Sequence, residues 1–192
     1  MMSPVTARRI AMELKNTQAA KSPKWIVSPL PNNNFEWHFT LRGAQGTDYE
    51  GGLYHGKIIL PPEFPNKAPD IFYITENGRF EPGEKICLTA TSWHPEHWTP
   101  TWTIIMLLEA MWTFFLTEGS GIGYVAPSGN RRKELAKASR KFTCEHCGMS
   151  ALAAEKILIE NEKNVSTVKP DIIYLNSSQS SKPIPQNQFG LK

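Results

Sequence analysis

Cys87 is the residue whose surroundings most favour nucleophilic chemistry in this sequence. It lies in the run KICLT, where Ile86 and Leu88 supply apolar anchors on either side. The segment from about residue 77 to 101 has no helix or strand periodicity, and long irregular segments inside compact domains are usually functional. A loop can hold a sulfur at the surface, although a lone cysteine is more often a small buried hydrophobe. The local sequence leaves both interpretations open.

Two polar residues near Cys87 are candidates for assisting it. Asn77 precedes the cysteine by ten residues, and its amide could fold back over the sulfur. His94 follows closely. Each has a simpler interpretation, an Asn-Gly turn for Asn77 and a surface loop histidine for His94. No base or orienting residue is placed beside the cysteine by sequence, as a cysteine protease would require.

A second group of cysteines, Cys144 and Cys147, has the Cys-x-x-Cys spacing found in many metal sites. Structural zinc needs four ligands, and the chain has no second pair of this kind. The sequence therefore predicts no metal and no cofactor, and spare thiols are the default interpretation. Three cysteines in total favour a reducing compartment over a disulfide framework.

The elements that must position Cys87 begin with a helix and a sheet. Ser3 and Pro4 are typical of a helix start, and an amphipathic helix is predicted to about Thr17. Its apolar residues include Val5 and Met12. Runs rich in aromatic and β-branched residues, separated by Gly- or Pro-rich turns, predict four antiparallel strands in a meander. These runs are residues 25–28, stopped by Pro29, then 36–41, 56–60 and 70–74.

Three helices are predicted after the irregular segment. The first is apolar on nearly all faces, which implies burial against the sheet. The third carries Leu152, Ile157 and Leu158 on its predicted apolar face. The predicted fold class is α+β, with an N-terminal helix, a four-stranded antiparallel sheet, an irregular active-site segment, a central buried helix and C-terminal helices. The three helical ranges are 101–116, 129–139 and 151–164.

Composition limits the class of protein. A chain of 192 residues with 40% hydrophobic residues suits one domain with a real core. The formal charge is 21 − 18 = +3, which is too weak to indicate a nucleic-acid binder. The N-terminus lacks the apolar region of a signal peptide, and the most apolar stretch is shorter than the ~20 residues that span a bilayer. Residues 1–165 are predicted to form the domain, and 166–192 a disordered polar tail or linker.

The order of these motifs resembles that of ubiquitin-conjugating enzymes. The blocks YEGGLYHGKIILPPEFPNKAP, TENGRF, KICL and HPEHWTPTWTI follow the family's order, and the resemblance covers residues 4 to about 140. Most members carry His-Pro-Asn about eight residues before the catalytic cysteine, whereas Asn77 has a Thr-Glu-Asn context. This departure is similar to the tail-anchored endoplasmic-reticulum branch, the J group, whose members end in a membrane helix and act in membrane-associated protein quality control.

The resemblance implies roles for the residues around Cys87. Cys87 would accept the ubiquitin C-terminus as a thioester from an activating enzyme and pass it to a substrate amine or a ligase cysteine. Asn77 would stabilise the oxyanion or order the loop, and His94 would be a polar group near the cysteine or a base for a hydroxyl acceptor. Ser128 takes the place where the family often has an acidic residue that steers the incoming amine.

The resemblance also implies three partners: ubiquitin, a ubiquitin-activating enzyme and a RING-type ligase. It implies a location at the cytosolic face of the endoplasmic reticulum if the full-length protein is tail-anchored, and otherwise in the cytoplasm. In many members an aromatic residue follows the proline that corresponds to Pro65, whereas this chain has Asn66 at that position. The implied partner-binding residues are Arg8, Arg9 and Lys15 for the activating enzyme, and Phe64, Pro65, Trp98 and Pro100 for the ligase.

Two other classes of protein have features that can be compared with this sequence. A cysteine-dependent phosphatase needs an arginine shortly after the cysteine, and residues 88–94 contain none. Family variants without the cysteine act as non-enzymatic ubiquitin-binding cofactors. The presence of Cys87 argues against that role, but an inactive ubiquitin-binding domain stays open as the alternative.

Overall fold

The computed structural model describes residues 2–86, 91–92, 95–117 and 124–167. The predicted α+β class is confirmed, and most elements lie within a few residues of their predicted positions. In order, the described elements are α1 (Pro4–Ala20), β1 (Trp25–Leu30), β2 (Asn33–Arg42), β3 (Leu53–Ile59), β4 (Asp70–Tyr73), a 3₁₀ turn (Pro95–His97), α2 (Ile104–Thr113), α3 (Gly129–Ser139) and α4 (Ala151–Thr167).

The four strands form the predicted antiparallel meander, in the order β1-β2-β3-β4. β1 continues through Pro29, where a stop was predicted, and Pro29 pairs with Trp37. β1 is an edge strand, and on its open side the missing N–H of a proline removes no ladder hydrogen bond. β3 begins three residues before its predicted start because Leu53 pairs with Arg42 in the β2–β3 ladder.

Large apolar side chains cover one face of the sheet, here called the front face, which packs against α2. Phe39 and Tyr73 meet edge to face, with ring centroids 5.6 Å apart. Gly56 makes room for Phe39, because a Cβ at this position would lie 2.3 Å from the ring. The core here joins the front-face residues Trp37, Phe39, Leu41, Tyr54, Ile58, Ile71 and Tyr73 to Ile104, Leu107, Leu108 and Met111 of α2.

The opposite face of the sheet, here called the back face, lies under α4 and the segment before it. Its residues follow from strand alternation, since neighbours along a strand point to opposite faces. Only a small apolar cluster forms there, made of Ile26 and Leu53 with two residues of α4. The back-face residues used below are Ile26, His38, Thr40, Leu53 and His55.

The buried side of α1 is more polar than the sequence predicts. Val5 and Met12 are exposed, whereas a carboxylate faces the core. One oxygen of Glu13 pairs with Arg9 at 2.7 Å, and the other accepts the N–H of Ile104 at 3.0 Å. Glu13 thereby satisfies a donor at the start of α2, which a helix end would otherwise leave unpaired. The buried residues of α1 are Thr6, Ile10, Glu13 and Thr17.

Two other helices also differ from prediction. α2 is shorter than predicted, because the side chain of Thr103 caps its start by accepting the N–H of Met106. In α4, Leu152 and Ile157 are exposed, contrary to prediction. The residues of α4 that face the sheet are Ala151, Ala154 and Leu158.

α4 ends at Thr167, two residues beyond the predicted domain boundary. The rest of the predicted tail, residues 168–192, lies outside the described residues. Within the described ranges, no helix has both the length and the apolar character that crossing a bilayer requires.

Candidate active site

Hydrogen bonds hold the chain on both sides of Cys87. Ile86, just before the cysteine, is bonded to β4, and Thr91, after it, is bonded to Ile86. Cys87 and His94 themselves lie outside the described residues. Ile86 is buried, and its N–H donates to the carbonyl of Ile71 at 2.9 Å. The hydroxyl of Thr91 donates back to the carbonyl of Ile86 at 3.2 Å. The chain is therefore bonded to β4 at Ile86, just before Cys87, and bonded back to Ile86 at Thr91.

Asn77 orders a turn at the same edge of the sheet. Its side chain is fully buried. The side-chain oxygen accepts the N–H groups of Arg79 and Phe80, both at 2.8 Å. The amide nitrogen donates to the carbonyl of Thr75 at 3.3 Å. Gly78 follows with a φ of +69°, a conformation that glycine adopts without strain. Of the two implied roles, these contacts belong to the loop-ordering one.

A polar cluster joins Lys85 and Ser92, which precede and follow Cys87 along the chain, to Asp70 of β4. The ammonium of Lys85 is 2.9 Å from a carboxylate oxygen of Asp70, and the hydroxyl of Ser92 donates to the other oxygen. The three side chains line a cavity of about 330 Å³ together with Trp98. They join β4 to the chain before and after the cysteine, and so add to its positioning.

The residues implied for ligase binding lie in two loops, called here the ligase loops. One contains Phe64 and Pro65, the other contains Trp98 and Pro100, and buried contacts join the two. Phe64 and Pro65 are buried, and the indole N–H of Trp98 donates to the carbonyl of Pro65 at 2.8 Å. All three side chains are buried in the structure, and the ligase contact that the resemblance implies for them stays a prediction. Their apolar rings are used to pack the loops. Pro100 and Asn66 are exposed and remain available as contact residues.

The basic residues of α1 divide into two groups. Arg8 and Lys15 are exposed, as a partner-binding surface requires. Arg9 instead donates to the carbonyls of Pro100 and Trp102 and stacks on the ring of Phe64. The guanidinium of Arg9 therefore joins α1 to the loop before α2, and its implied role in binding an activating enzyme stays a prediction.

Ser128 caps α3. Its side chain accepts the N–H of Arg131 at 3.3 Å while the residue stays exposed. Arg131 also approaches Glu76 at 3.3 Å, next to the Asn77 turn. The start of α3 therefore lies beside that turn, but Ser128 has a local structural role that its place in the family pattern did not indicate.

Sequence reasoning missed one cluster of possible metal ligands. Within the described ranges, His38, His55, Cys144 and Cys147 bring their ligand atoms within 4.8 Å of one another. Burial lowers the pKa of His38 and lowers that of His55 to about 4, so both imidazoles are neutral near pH 7. The Cys-x-x-Cys spacing was the available signal, but nothing in the spacing of the histidines indicates that they lie nearby.

Three sequence comparisons bear on the identity of this site. The profile of the ubiquitin-conjugating enzyme family matches residues 9–121. The chain is 46% identical over 151 residues to ubiquitin-conjugating enzyme E2 J1 of Homo sapiens, which covers 77% of this chain and 46% of that protein. It is 34% identical over 184 residues to ubiquitin-conjugating enzyme E2 J2 of Homo sapiens, which covers 95% of this chain and 69% of that protein. The chain thus spans about half the length of the E2 J1 relative.

A solved structure is similar in fold. The E2 domain of a Toxoplasma gondii ubiquitin-conjugating enzyme superposes with a TM-score of 0.56 and 18% identity, covering 69% of this chain and 97% of that one. At this identity the likeness concerns the fold alone. The profile match and the identity to the J1 and J2 relatives show the family. This chain belongs to the ubiquitin-conjugating enzyme family.

Proposed function

We propose that the chain is the catalytic domain of a ubiquitin-conjugating enzyme that carries ubiquitin on Cys87. The thiolate of Cys87 attacks the thioester carbonyl that joins ubiquitin to an activating enzyme. A new carbon–sulfur bond forms at Cys87, the old one breaks, and the thiol of the activating enzyme leaves. A substrate amine then attacks the new thioester and forms an amide, or a ligase cysteine accepts the acyl group, and Cys87 is released.

One observation carries this proposal beyond family membership. Cys87 follows directly on Ile86, which is buried and bonded to β4, and the chain is tied again at Thr91. A nucleophile that must meet large protein partners needs a backbone held in place on both sides, since misplacement of a reacting atom by about 1 Å can cost 100-fold in rate.

The exposed residues suggest where the partners bind. We infer that Arg8 and Lys15, on the open side of α1, contact the activating enzyme. Pro100 and Asn66 are exposed residues of the two ligase loops. The buried rings of Phe64 and Trp98 lie between the loops with their centroids 6.3 Å apart, and this contact fixes one loop relative to the other. A small interface of this kind depends on a few anchor residues, so replacing Pro100 is expected to weaken ligase-stimulated transfer.

We also propose that the protein acts at the cytosolic face of the endoplasmic reticulum, in the degradation of proteins from that compartment. The support is sequence similarity to the J1 and J2 relatives. Fractionation of cells that express the natural gene product tests this location. Recovery with endoplasmic-reticulum membranes is expected, and recovery only in the soluble fraction would contradict it.

A thioester assay tests the proposed activity. The chain is incubated with activating enzyme, ATP and ubiquitin, and a reductant-sensitive adduct is expected. Cys87→Ala should abolish the adduct, and Cys87→Ser should give a reductant-resistant ester. Arg140→Ala is the control, because it changes an exposed side chain elsewhere in the chain and should still form the adduct. If the wild type binds ubiquitin but forms no adduct with several activating enzymes, the ubiquitin-binding alternative is correct.

Two variants distinguish the two roles implied for Asn77, which are ordering the loop and stabilising the oxyanion. Asn77→Asp keeps an oxygen that accepts the N–H groups of Arg79 and Phe80 but loses the amide donor. Asn77→Ala loses both. If Asn77 acts by ordering the turn, Asn77→Asp, which keeps two of the three hydrogen bonds of the side chain, should transfer ubiquitin from Cys87 to lysine faster than Asn77→Ala, which keeps none. An equal loss of about 100-fold or more in both variants would instead indicate oxyanion stabilisation.

A further inference from the structure

The back face of the sheet carries two histidines that point at each other. Thr40 pairs with His55 across the β2–β3 ladder, and His38 lies two residues before Thr40 on the same face. This diagonal arrangement brings Nδ1 of His38 to 3.1 Å from Nε2 of His55. Both residues are buried. The register of two strands thus fixes the positions of two possible metal-ligating nitrogens.

The segment between α3 and α4 brings two thiols to the same place. The N–H of Cys144 donates to the carbonyl of Met149 at 2.9 Å, and the N–H of Gly148 donates to the carbonyl of Cys144 at 2.9 Å. Gly148 has a φ of +72°, which allows this tight turn. Cys144 and Cys147 are free thiols held on one side of the turn, and they face the histidines.

Three of the distances between these atoms are close to those of a tetrahedral zinc site, and all four atoms lie within 4.8 Å of one another. Sγ of Cys144 lies 3.5 Å from Nδ1 of His38, and Sγ of Cys147 lies 3.6 Å from Nε2 of His55. Zinc bonds of about 2.3 Å to sulfur and about 2.0 Å to nitrogen, at tetrahedral angles, give sulfur–nitrogen separations of about 3.5 Å and nitrogen–nitrogen separations of about 3.3 Å. We propose that four side chains hold a structural Zn²⁺ ion: His38, His55, Cys144 and Cys147.

The outer nitrogen of each imidazole has the partner that a metal-binding histidine needs. Nε2 of His38 is 3.1 Å from a carboxylate oxygen of Glu36, and Nδ1 of His55 is 2.9 Å from the hydroxyl of Thr40. Metal-ligating histidines usually donate this second N–H to a carboxylate or another acceptor, which fixes the tautomer and leaves the inner nitrogen free for the metal. Glu36 is therefore a positioning residue of the proposed site.

The site has a route for entry and a full set of protein ligands. Cys147 is half-buried and borders a groove of about 460 Å³ between the end of α1, β1 and α4. Four protein ligands leave no open coordination position, which is typical of structural rather than catalytic zinc. Binding releases the protons of the two thiols. The ion joins β2 and β3 to the segment between α3 and α4, across a face whose apolar cluster is small.

The proposal departs from the expectation of no metal, which counted ligands along the sequence. A Cys-x-x-Cys pair supplies two ligands, and the other two come from strands that the chain reaches 106 and 92 residues earlier. The zinc site is independent of the proposed transfer of ubiquitin, because neither Cys87 nor any residue of its flanking segments belongs to it.

Metal content tests the proposal directly. The purified chain is stripped with a chelator under reductant, reloaded with Zn²⁺ and passed through a desalting column. Elemental mass spectrometry should find one zinc ion per chain, and a chromophore competition gives its affinity. Cys144→Ser should bind at least about 100-fold more weakly, and Glu36→Gln about 10-fold more weakly.

Two matched variants locate the ion. His146→Ala removes the exposed histidine between the cysteines, and Cys87→Ser removes the remaining thiol of the chain. Both should retain zinc with wild-type affinity. Loss of zinc from Cys87→Ser would place the ion at the candidate active site and overturn the proposal. A reloaded wild type that holds no zinc while all of its thiols are reduced would also overturn it.

Cobalt gives a readout that needs no ligand variant to fold. Titration of the stripped wild type with Co²⁺ should produce the visible bands of a tetrahedral ion and thiolate-to-cobalt charge-transfer absorption, which Zn²⁺ then removes. A wild-type spectrum without thiolate bands would contradict a site with two sulfur ligands.

Discussion

The front and back faces of one sheet are stabilised in different ways. On the front face, side chains such as Phe39 and Ile58 interlock with α2 in a continuous apolar core. On the back face, His38, Thr40 and His55 are buried. The apolar contact between this face and α4 is a small cluster. The same strands supply both faces, because adjacent residues alternate between them.

The comparison shows how burial of polar groups changes the requirements of a face. Apolar contact stabilises by about 25 cal/mol per Å² and needs no particular partner. Buried imidazoles must instead have hydrogen-bond partners or a metal, since unpaired buried polar groups are costly. The front face therefore depends on packed volume, and the back face on specific atoms at specific distances.

Removing front-face volume should have the largest effect on stability. Phe39→Ala is expected to lower the free energy of unfolding by about 4 kcal/mol, because it leaves a cavity between the sheet and α2. Urea denaturation measures the loss. Phe72→Ala, a partly buried aromatic on the other side of β4, is the matched control and should cost clearly less. Similar losses in the two variants would contradict the difference between the faces.

The front side also contains a buried charge, and its removal should have the second-largest effect. Glu13→Ala leaves the N–H of Ile104 without its acceptor and the charge of Arg9 without its carboxylate. A loss of about 3 kcal/mol is expected in urea denaturation, at the lower end for broken buried ion pairs. Glu13→Gln keeps an acceptor for Ile104 and should lose less. If both variants are as stable as the wild type, apolar packing alone accounts for this interface.

Chelation should affect the back face. If zinc binds as proposed, removing free Zn²⁺ from a solution held at 100 times its dissociation constant should destabilise the wild type by about 2.7 kcal/mol. Hydrogen exchange should become faster in α4 and change least in α2. Cys144→Ser is the control and should be insensitive to the chelator. Identical unfolding curves for the wild type with and without chelator would refute a structural role for the metal.

Ion pairs between exposed side chains should contribute least to the stability of either face. Arg140 contacts both oxygens of Glu155 and the carbonyl of Gly51, joining the ends of α3 and α4. Arg140 is exposed, so Arg140→Ala is expected to cost less than about 1 kcal/mol. Thermal unfolding should show a shift of a few degrees at most. A loss as large as that of Glu13→Ala would mean that the back face depends on this pair as well.

Local signals predicted many of the elements. The polar helix predicted over 129–139 matches the observed range of α3, and Pro- and Gly-rich turns separate the strands. The signals were weaker where burial depended on neighbours. Leu152 is exposed although it is apolar, and Glu13 is buried although it is charged, because the contacts of α4 and α1 decide which side faces the core. Asn77 was predicted as a candidate, but only the fold showed that its side chain orders a turn.

The order of motifs around Cys87 and the spacing of Cys144 and Cys147 are properties of the chain itself. The motifs indicated the family, and the spacing put two thiols of the proposed zinc site side by side, although the sequence predicted no metal there. The partners of those two thiols were decided by the tertiary structure. His38 and His55 reach them only because antiparallel pairing aligns β2 with β3 and because the chain returns over the sheet before α4. Contacts between residues about 100 positions apart depend on strand register and helix packing, which no local pattern encodes.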